Sequence, residues 1–154
     1  METTLYRGKR VDNGKWIYGY YFYDDFYKKA YITVGNYCMP LSPDTPNKKL
    51  LTVFEVSAKT VEHFTGFIDK NIRNIIEGDI VRLGQNIYQV VFVYGSFCLY
   101  DKCGNMISKI GGINDYYYPL FDLHLRCCWK NNWARDIEVL GNIHDNPELL
   151  EDIK

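Results

Sequence analysis

Short apolar and aromatic runs, broken at close spacing by Gly, Asn and Asp, predict a mainly β fold of small barrel-like or sandwich-like lobes with a short C-terminal helix. Three observations carry this reading. Aromatic residues make up 16% of the 154-residue chain, with 14 tyrosines and 8 phenylalanines, and such side chains favour pleated, half-buried strands over helices. The stretch from Phe64 to Leu83 reads as consecutive short strands joined by turns and ending in Glu77-Gly78-Asp79-Ile80-Val81. Asn146-Pro147-Glu148 then supplies a favoured cap residue, a proline at the first helical position and an acid in the first turn, which predicts a short helix from Pro147.

The elements follow in order. Leu5 to Arg10 predicts a strand leading into Asp12-Asn13-Gly14, because Asn-Gly between strand-like residues is a strong hairpin signal. In the return strand, Lys15 to Tyr23, alternation places Trp16, Tyr18, Tyr20 and Phe22 on one face and Ile17, Gly19, Tyr21 and Tyr23 on the other. Both faces are apolar or aromatic, so the strand is expected to be covered on both sides. Asp24-Asp25 marks the next turn, and Tyr27 to Val34 completes an N-terminal β-meander.

Pro40, Pro43 and Pro46 remove backbone donors and bias their preceding residues away from helix, so residues 40–47 read as a loop or linker. A single domain over residues 1–154 is expected, with a division into an N-terminal meander (1–47) and a barrel-like part with the C-terminal helix (48–154) as the alternative. Beyond the linker, Leu50 to Val56 predicts a strand, and Ser57 to Phe64 a single helical turn capped by Ser57. Strands are then expected over Phe64 to Ile68, Asn74 to Ile76, Ile80 to Leu83, Ile87 to Tyr94 and Phe97 to Tyr100, with Gly-Asp-Ile-Val followed by Tyr-Gln-Val-Val in the manner of SH3-like barrels. Met106 to Pro119 reads as a loop carrying Tyr116, Tyr117 and Tyr118. Leu120 to Trp129 and Asp136 to Leu140 read as further strands.

Composition narrows the function classes. The formal net charge of −1 disfavours binding to nucleic acid through overall electrostatics, which needs clustered cations facing phosphates. Charge is nevertheless uneven, basic at Arg7, Lys9, Arg10 and Lys15 and acidic from Asp136 to Asp152, so opposite ends can pair within a molecule or between copies. No apolar run approaches the ~20 residues that cross a bilayer, and the N-terminus lacks the apolar core of a signal peptide, which predicts a cytoplasmic protein with no membrane partner. Five cysteines, an odd number including the adjacent Cys127 and Cys128, do not form a secreted disulfide framework and read as free thiols.

Four blocks in order, Arg7-Gly-Lys-Arg10, Trp16-Ile-Tyr-Gly-Tyr20, Thr60-Val-Glu-His-Phe-Thr-Gly66 with Asp69-Lys-Asn71 and Glu77-Gly-Asp-Ile-Val81, and Glu138-Val-Leu-Gly-Asn-Ile-His-Asp-Asn-Pro-Glu-Leu-Leu150, resemble the YopX family. That is a family of small proteins of phages and prophages, mostly of Gram-positive bacteria. The resemblance implies a β-rich phage or prophage accessory protein in a bacterial host, and it brings no established biochemical activity. This chain departs from the family pattern at Ile72, where a glycine would complete Asn-Gly, and at Ile76, where a tyrosine is common. Without that glycine a two-residue turn with positive φ at both positions is disfavoured, so Asn71 is expected to take the left-handed conformation in a longer loop.

No nucleophile, base and orienting group stand together, and no enzyme activity or cofactor is expected. His124, Cys127, Cys128 and Cys103 have ligand-type side chains, but their spacing fits no zinc module and adjacent strand residues face opposite ways, so buried thiols are preferred to a metal. Glu77 and Asp79 flank a glycine between strands and read as a turn whose side chains bond the backbone, not as a catalytic carboxylate pair. Arg7, Lys9 and Arg10, with Tyr116 and Tyr117, are the candidate surface for nucleic acid or a protein partner. The function expected is that of a non-enzymatic protein-interaction or self-assembling protein, a homo-oligomer or a binder of an unidentified host or phage protein. A nucleic-acid-binding accessory protein with an SH3-like barrel is the alternative, where aromatic rings stack on bases and cations hold phosphate, and an enzyme the second alternative.

Overall fold

The computed structural model describes residues 6–35, 52–93, 95–100, 117–120 and 137–151. Eleven strands are described: β1 (Tyr6–Lys9), β2 (Trp16–Asp24), β3 (Lys29–Val34), β4 (Thr52–Val56), β5 (Glu62–Ile68), β6 (Asn74–Ile76), β7 (Asp79–Leu83), β8 (Asn86–Val93), β9 (Ser96–Tyr100), β10 (Tyr117–Pro119) and β11 (Ile137–Asn142). The chain divides into two compact units, Met1–His63 and Phe64–Lys154, with β5 straddling the division. The sequence-based linker at 40–47, like Cys103, Tyr116, His124, Cys127, Cys128 and most of the expected strand from Leu120, lies outside the described residues.

In the N-terminal unit the strands pair antiparallel in the order β4-β3-β2-β1, and the start of β5 adds to β1 through Tyr6↔His63 and Arg7↔Glu62. The hairpin from β1 to β2 forms where Asn-Gly predicts it, although the loop is longer than two residues. Arg10 N–H donates to Lys15 O, Gly14 N–H donates to Arg10 O, and in this turn only Gly14 has positive φ, +69°. The sheet curls until Arg10 bridges Val56, with Val11 N–H on Glu55 O and Ser57 N–H on Lys9 O. That return is a single bridge and no closed barrel is found, so the barrel expectation holds only as far as two antiparallel sheets. Within the curl, Ala30, Ile32 and Val56 form a small core with Tyr6, Ile17, Tyr21 and Val61 against it. Gly8 lies so close to Ile32 and Val56 that a Cβ there would stand 3.1 Å and 3.2 Å from their side chains.

The helical turn expected from Ser57 is a short 3-10 turn, Ala58–Thr60, and the Ser57 side chain does not cap it. Thr60 does the local bonding instead. Its hydroxyl donates to Ser57 O (2.8 Å) and accepts Lys9 N–H (2.9 Å), fixing the turn to β1 and releasing the chain into β5 at Glu62.

In the C-terminal unit a five-stranded antiparallel sheet runs β10-β9-β8-β7-β11, and the later part of β5 pairs with β6. Ile75, Val81, Tyr88, Val90, Leu99, Leu120 and Ile137 make its core, and each fully buried aliphatic side chain contributes about 1.5–3 kcal/mol. Tyr117 to Pro119, expected as loop, is the strand β10, paired to β9 through Tyr117↔Tyr100. The Glu77-Gly78-Asp79 bend behaves as a turn: Gly78 has φ +78°, and the buried Asp79 accepts Ile76 N–H on Oδ2 at 2.8 Å.

The expected C-terminal helix is not formed. Pro147–Leu150 is one 3-10 turn, closed by Leu149 N–H on Asn146 O and Glu151 N–H on Glu148 O. Asn146 makes no side-chain cap, and its carboxamide packs over Gly141, where any Cβ would collide with it.

Candidate interaction surface on the N-terminal sheet

Cross-strand register places Trp16, Tyr18, Tyr20 and Phe22 on one side of β2, with Arg7 and Lys9 beside them on β1 and Tyr31 beside Phe22 on β3. The sequence expectation that both faces of β2 are covered fails here. Tyr18, Tyr20 and Phe22 are exposed, Tyr20 at 54%, because only the Ile17 and Tyr21 side meets the Ala30, Ile32 and Val56 core. Phe22 stacks on the half-buried Tyr31 at 5.1 Å between ring centroids.

The basic residues predicted to form a surface are handled differently by the fold. Arg7 is buried, 6% exposed, and its Nε donates to the buried Glu62 carboxylate at 2.6 Å. Its guanidinium also lies 4.8 Å from the Trp16 ring centre, with Lys9 Nζ at 5.2 Å from the same ring. Arg10 grips Asp12 through Nε at 2.9 Å and through a second guanidinium nitrogen, while its guanidinium carbon stands 4.2 Å from the Phe54 ring centre. The Arg10 side chain holds the Asp12 carboxyl below its ordinary range. Across the sheet, Lys29 donates to Glu55 at 2.7 Å, and that hydrogen bond raises the lysine's pKa. Tyr117 lies on β10 of the other unit, and Tyr116 lies outside the described residues.

Two features were missed from the sequence. The first is the tip of the β2–β3 hairpin, where Phe26 and Tyr27 are 85% and 66% exposed. Their rings meet edge to face at 4.9 Å. Asp24 Oδ1 accepts both their backbone N–H groups at 2.9 Å, and Lys28 closes the turn with φ +55°. A Phe-Tyr pair set between Asp-Asp and Lys-Lys in a hairpin turn was the available signal. The second is an open groove of about 420 Å³ with mostly apolar walls, lined by Trp16, Ile17, Tyr18, Val34, Thr52 and Phe54.

In the C-terminal unit the notable charges are structural. Glu138 on β11 accepts Lys70 Nζ at 2.9 Å and Arg82 at 2.7 Å, and these bonds, Lys70 first, lower its carboxyl pKa. Cys98 is buried, and its thiol donates to Ser96 O at 3.8 Å. Among the described residues no group of three or more His, Cys, Asp or Glu side chains is placed to hold a metal, and no helix is long and apolar enough to cross a membrane.

Fold and surface together define a class: a mainly β protein of two antiparallel sheets, one of which leaves an aromatic face in solvent. A family model described as YopX protein matches residues 5–151. The chain belongs to the YopX family. The crystal structure of protein EF1440 from Enterococcus faecalis is similar over 97% of this chain and 99% of that one, with 18% identity and a TM-score of 0.48. No curated protein matches.

Proposed function

We propose that this YopX-family protein is a non-enzymatic phage or prophage accessory protein, acting in the cytoplasm of a bacterial host through protein contacts that include contacts between its own copies. The observation that carries the reading is the run of exposed aromatics on one sheet, Tyr18, Tyr20 and Phe22, with the exposed Phe26 and Tyr27 at its tip. Contiguous exposed apolar surface of this kind marks interaction sites, and tyrosine and phenylalanine supply large contact area at low entropic cost. The nucleic-acid reading draws less support, because Arg7, Arg10 and Lys29 each already face a carboxylate, of Glu62, Asp12 and Glu55. Counterion release needs cations that are available to phosphate.

Sedimentation equilibrium of the purified chain tests the reading. A defined oligomer that weakens in Tyr20→Ser/Phe22→Ser supports it. A monomer that binds single-stranded oligonucleotides at low salt, and loses them as salt rises, transfers the function to the alternative.

A further inference from the structure

The hairpin tip and the apolar groove are complementary in character and belong to the same sheet. The tip presents two ordered rings to solvent on a turn fixed by the Asp24 carboxylate. Its charges balance, with Asp24 and Asp25 against Lys28 and Lys29, so it lacks the excess of cations that anionic lipid or nucleic acid would reward. The groove, at about 420 Å³, is open to solvent and mostly apolar, and the rings of Trp16, Tyr18 and Phe54 form part of its wall.

A molecule cannot fill its own groove in this way. Val34, which lines the groove, and Lys29, beside the tip, terminate β3, about 17 Å apart along a strand. Residues 26 and 27 lie beyond the Lys29 end of β3, so rings from the tip would reach such a groove only on another molecule. Reciprocal exchange, tip to groove and groove to tip, gives a closed two-fold pair in which each contact is made twice. The exposed Tyr20 and Phe22 lie between the two contacts on β2.

We propose that Phe26 and Tyr27 of one copy insert into the Trp16, Tyr18 and Phe54 groove of a second copy, forming a symmetric dimer. This rests on the self-assembly reading above and specifies its contact. The test uses Phe26→Ser/Tyr27→Ser, which alters exposed tip side chains, and Thr52→Arg, which places a long cation on an exposed groove wall; circular dichroism first establishes that both remain folded. In sedimentation equilibrium the wild type is expected to be a dimer. Each variant alone is expected to dissociate about 30-fold more readily or worse, as for loss of a central anchor. Mixing the two variants is expected to restore partial association, because one intact tip then meets one intact groove. A wild-type oligomer left unchanged by both variants overturns the tip-and-groove contact and leaves the self-assembly reading standing. A monomeric wild type overturns both, and if it pellets with phosphatidylglycerol vesicles in a Phe26-dependent way, the tip belongs to lipid.

Discussion

Asp69 holds Val139 across seventy residues of sequence: its Oδ2 accepts the Val139 N–H at 3.1 Å while its Oδ1 accepts the N–H groups of Asn71 and Arg73 at 2.7 Å and 2.8 Å. Lys70 N–H donates to Ile137 O beside it. One buried carboxylate therefore shapes the turn after β5 and docks it on β11. Hydrogen bonds to a charged group contribute about 1.5–3 kcal/mol each, and stranded buried donors add to the loss. Asp69→Ala is expected to destabilise the protein by about 3 kcal/mol or more, and Asp69→Asn by less, in urea unfolding. A change under 1 kcal/mol for the alanine variant contradicts this account.

The same turn forces an unusual backbone on Ile72, which has φ +63° with its side chain 76% exposed. The expectation that Asn71 would take the left-handed conformation is corrected here, because the Asp69 bonds to Asn71 and Arg73, with Ile72 N–H on Asp69 O, place the turn's positive φ at position 72. For a β-branched residue that conformation costs about 1–2 kcal/mol. Ile72→Gly is expected to stabilise by about 0.5–1 kcal/mol after the entropy of glycine in the unfolded chain is subtracted. Ile72→Ala should not, since alanine keeps the Cβ. Thermal melts of the two variants measure the difference.

The Arg7–Glu62 pair is buried on both sides. Removing one member leaves a buried charge, so Arg7→Ala or Glu62→Ala is expected to cost about 3–5 kcal/mol, whereas Arg7→Met/Glu62→Leu is expected to cost far less than the sum. A double-mutant cycle in denaturant gives the coupling. Purely additive losses would show that the pair does not act as a unit.

Stability should fall at both ends of the pH scale for identifiable reasons. Glu138 has a folded pKa lowered by Lys70 and Arg82, so its contribution is present above its unfolded value and is lost as pH falls through the folded one. Tyr21 is raised by burial and Lys29 by its bond to Glu55. Their contributions are full below their unfolded values and are lost as pH rises through the folded ones. Glu138→Gln should flatten only the acid limb of a stability profile, and Tyr21→Phe with Lys29→Met only the alkaline limb.

Gly19 sits where β2 passes from pairing with β1 to pairing with β3, and a Cβ there would overlap the Thr33 carbonyl oxygen. The obstacle is backbone, which cannot rotate away. Gly19→Ala is expected to destabilise by about 3 kcal/mol or more, measured by urea midpoint, while Gly14→Ala meets no atoms and is strained only by its φ of +69°.

Much of the framework was legible because it depends on local physics. Asn13-Gly14 marks a real hairpin, Glu77-Gly78-Asp79 a real bend, and β6 runs from Asn74 to Ile76 as expected. The Asn146-Pro147-Glu148 pattern marks a single 3-10 turn that Asn146 does not cap, and Tyr117 misled because a run of three tyrosines says nothing about a partner strand seventeen residues earlier. Of the candidate surface, Lys9 and Arg10 are placed beside Trp16 and Phe54 as a basic and aromatic cluster, but the neutralisation of Arg7 was not readable, since Glu62 lies 55 residues away.

By itself the sequence determined that this is a β-rich YopX-family chain, which runs other than Tyr117–Pro119 become the described strands, where several turns fall and which side chains share a face of β2, because alternation and turn chemistry act over a few residues. Only the tertiary structure decided which face of β2 is covered, that Ile72 carries the left-handed turn, and that Phe26, Tyr27, Tyr20 and Phe22 stand in solvent. Period-two alternation sorts side chains into faces, but whether a second layer covers a face depends on segments far along the chain.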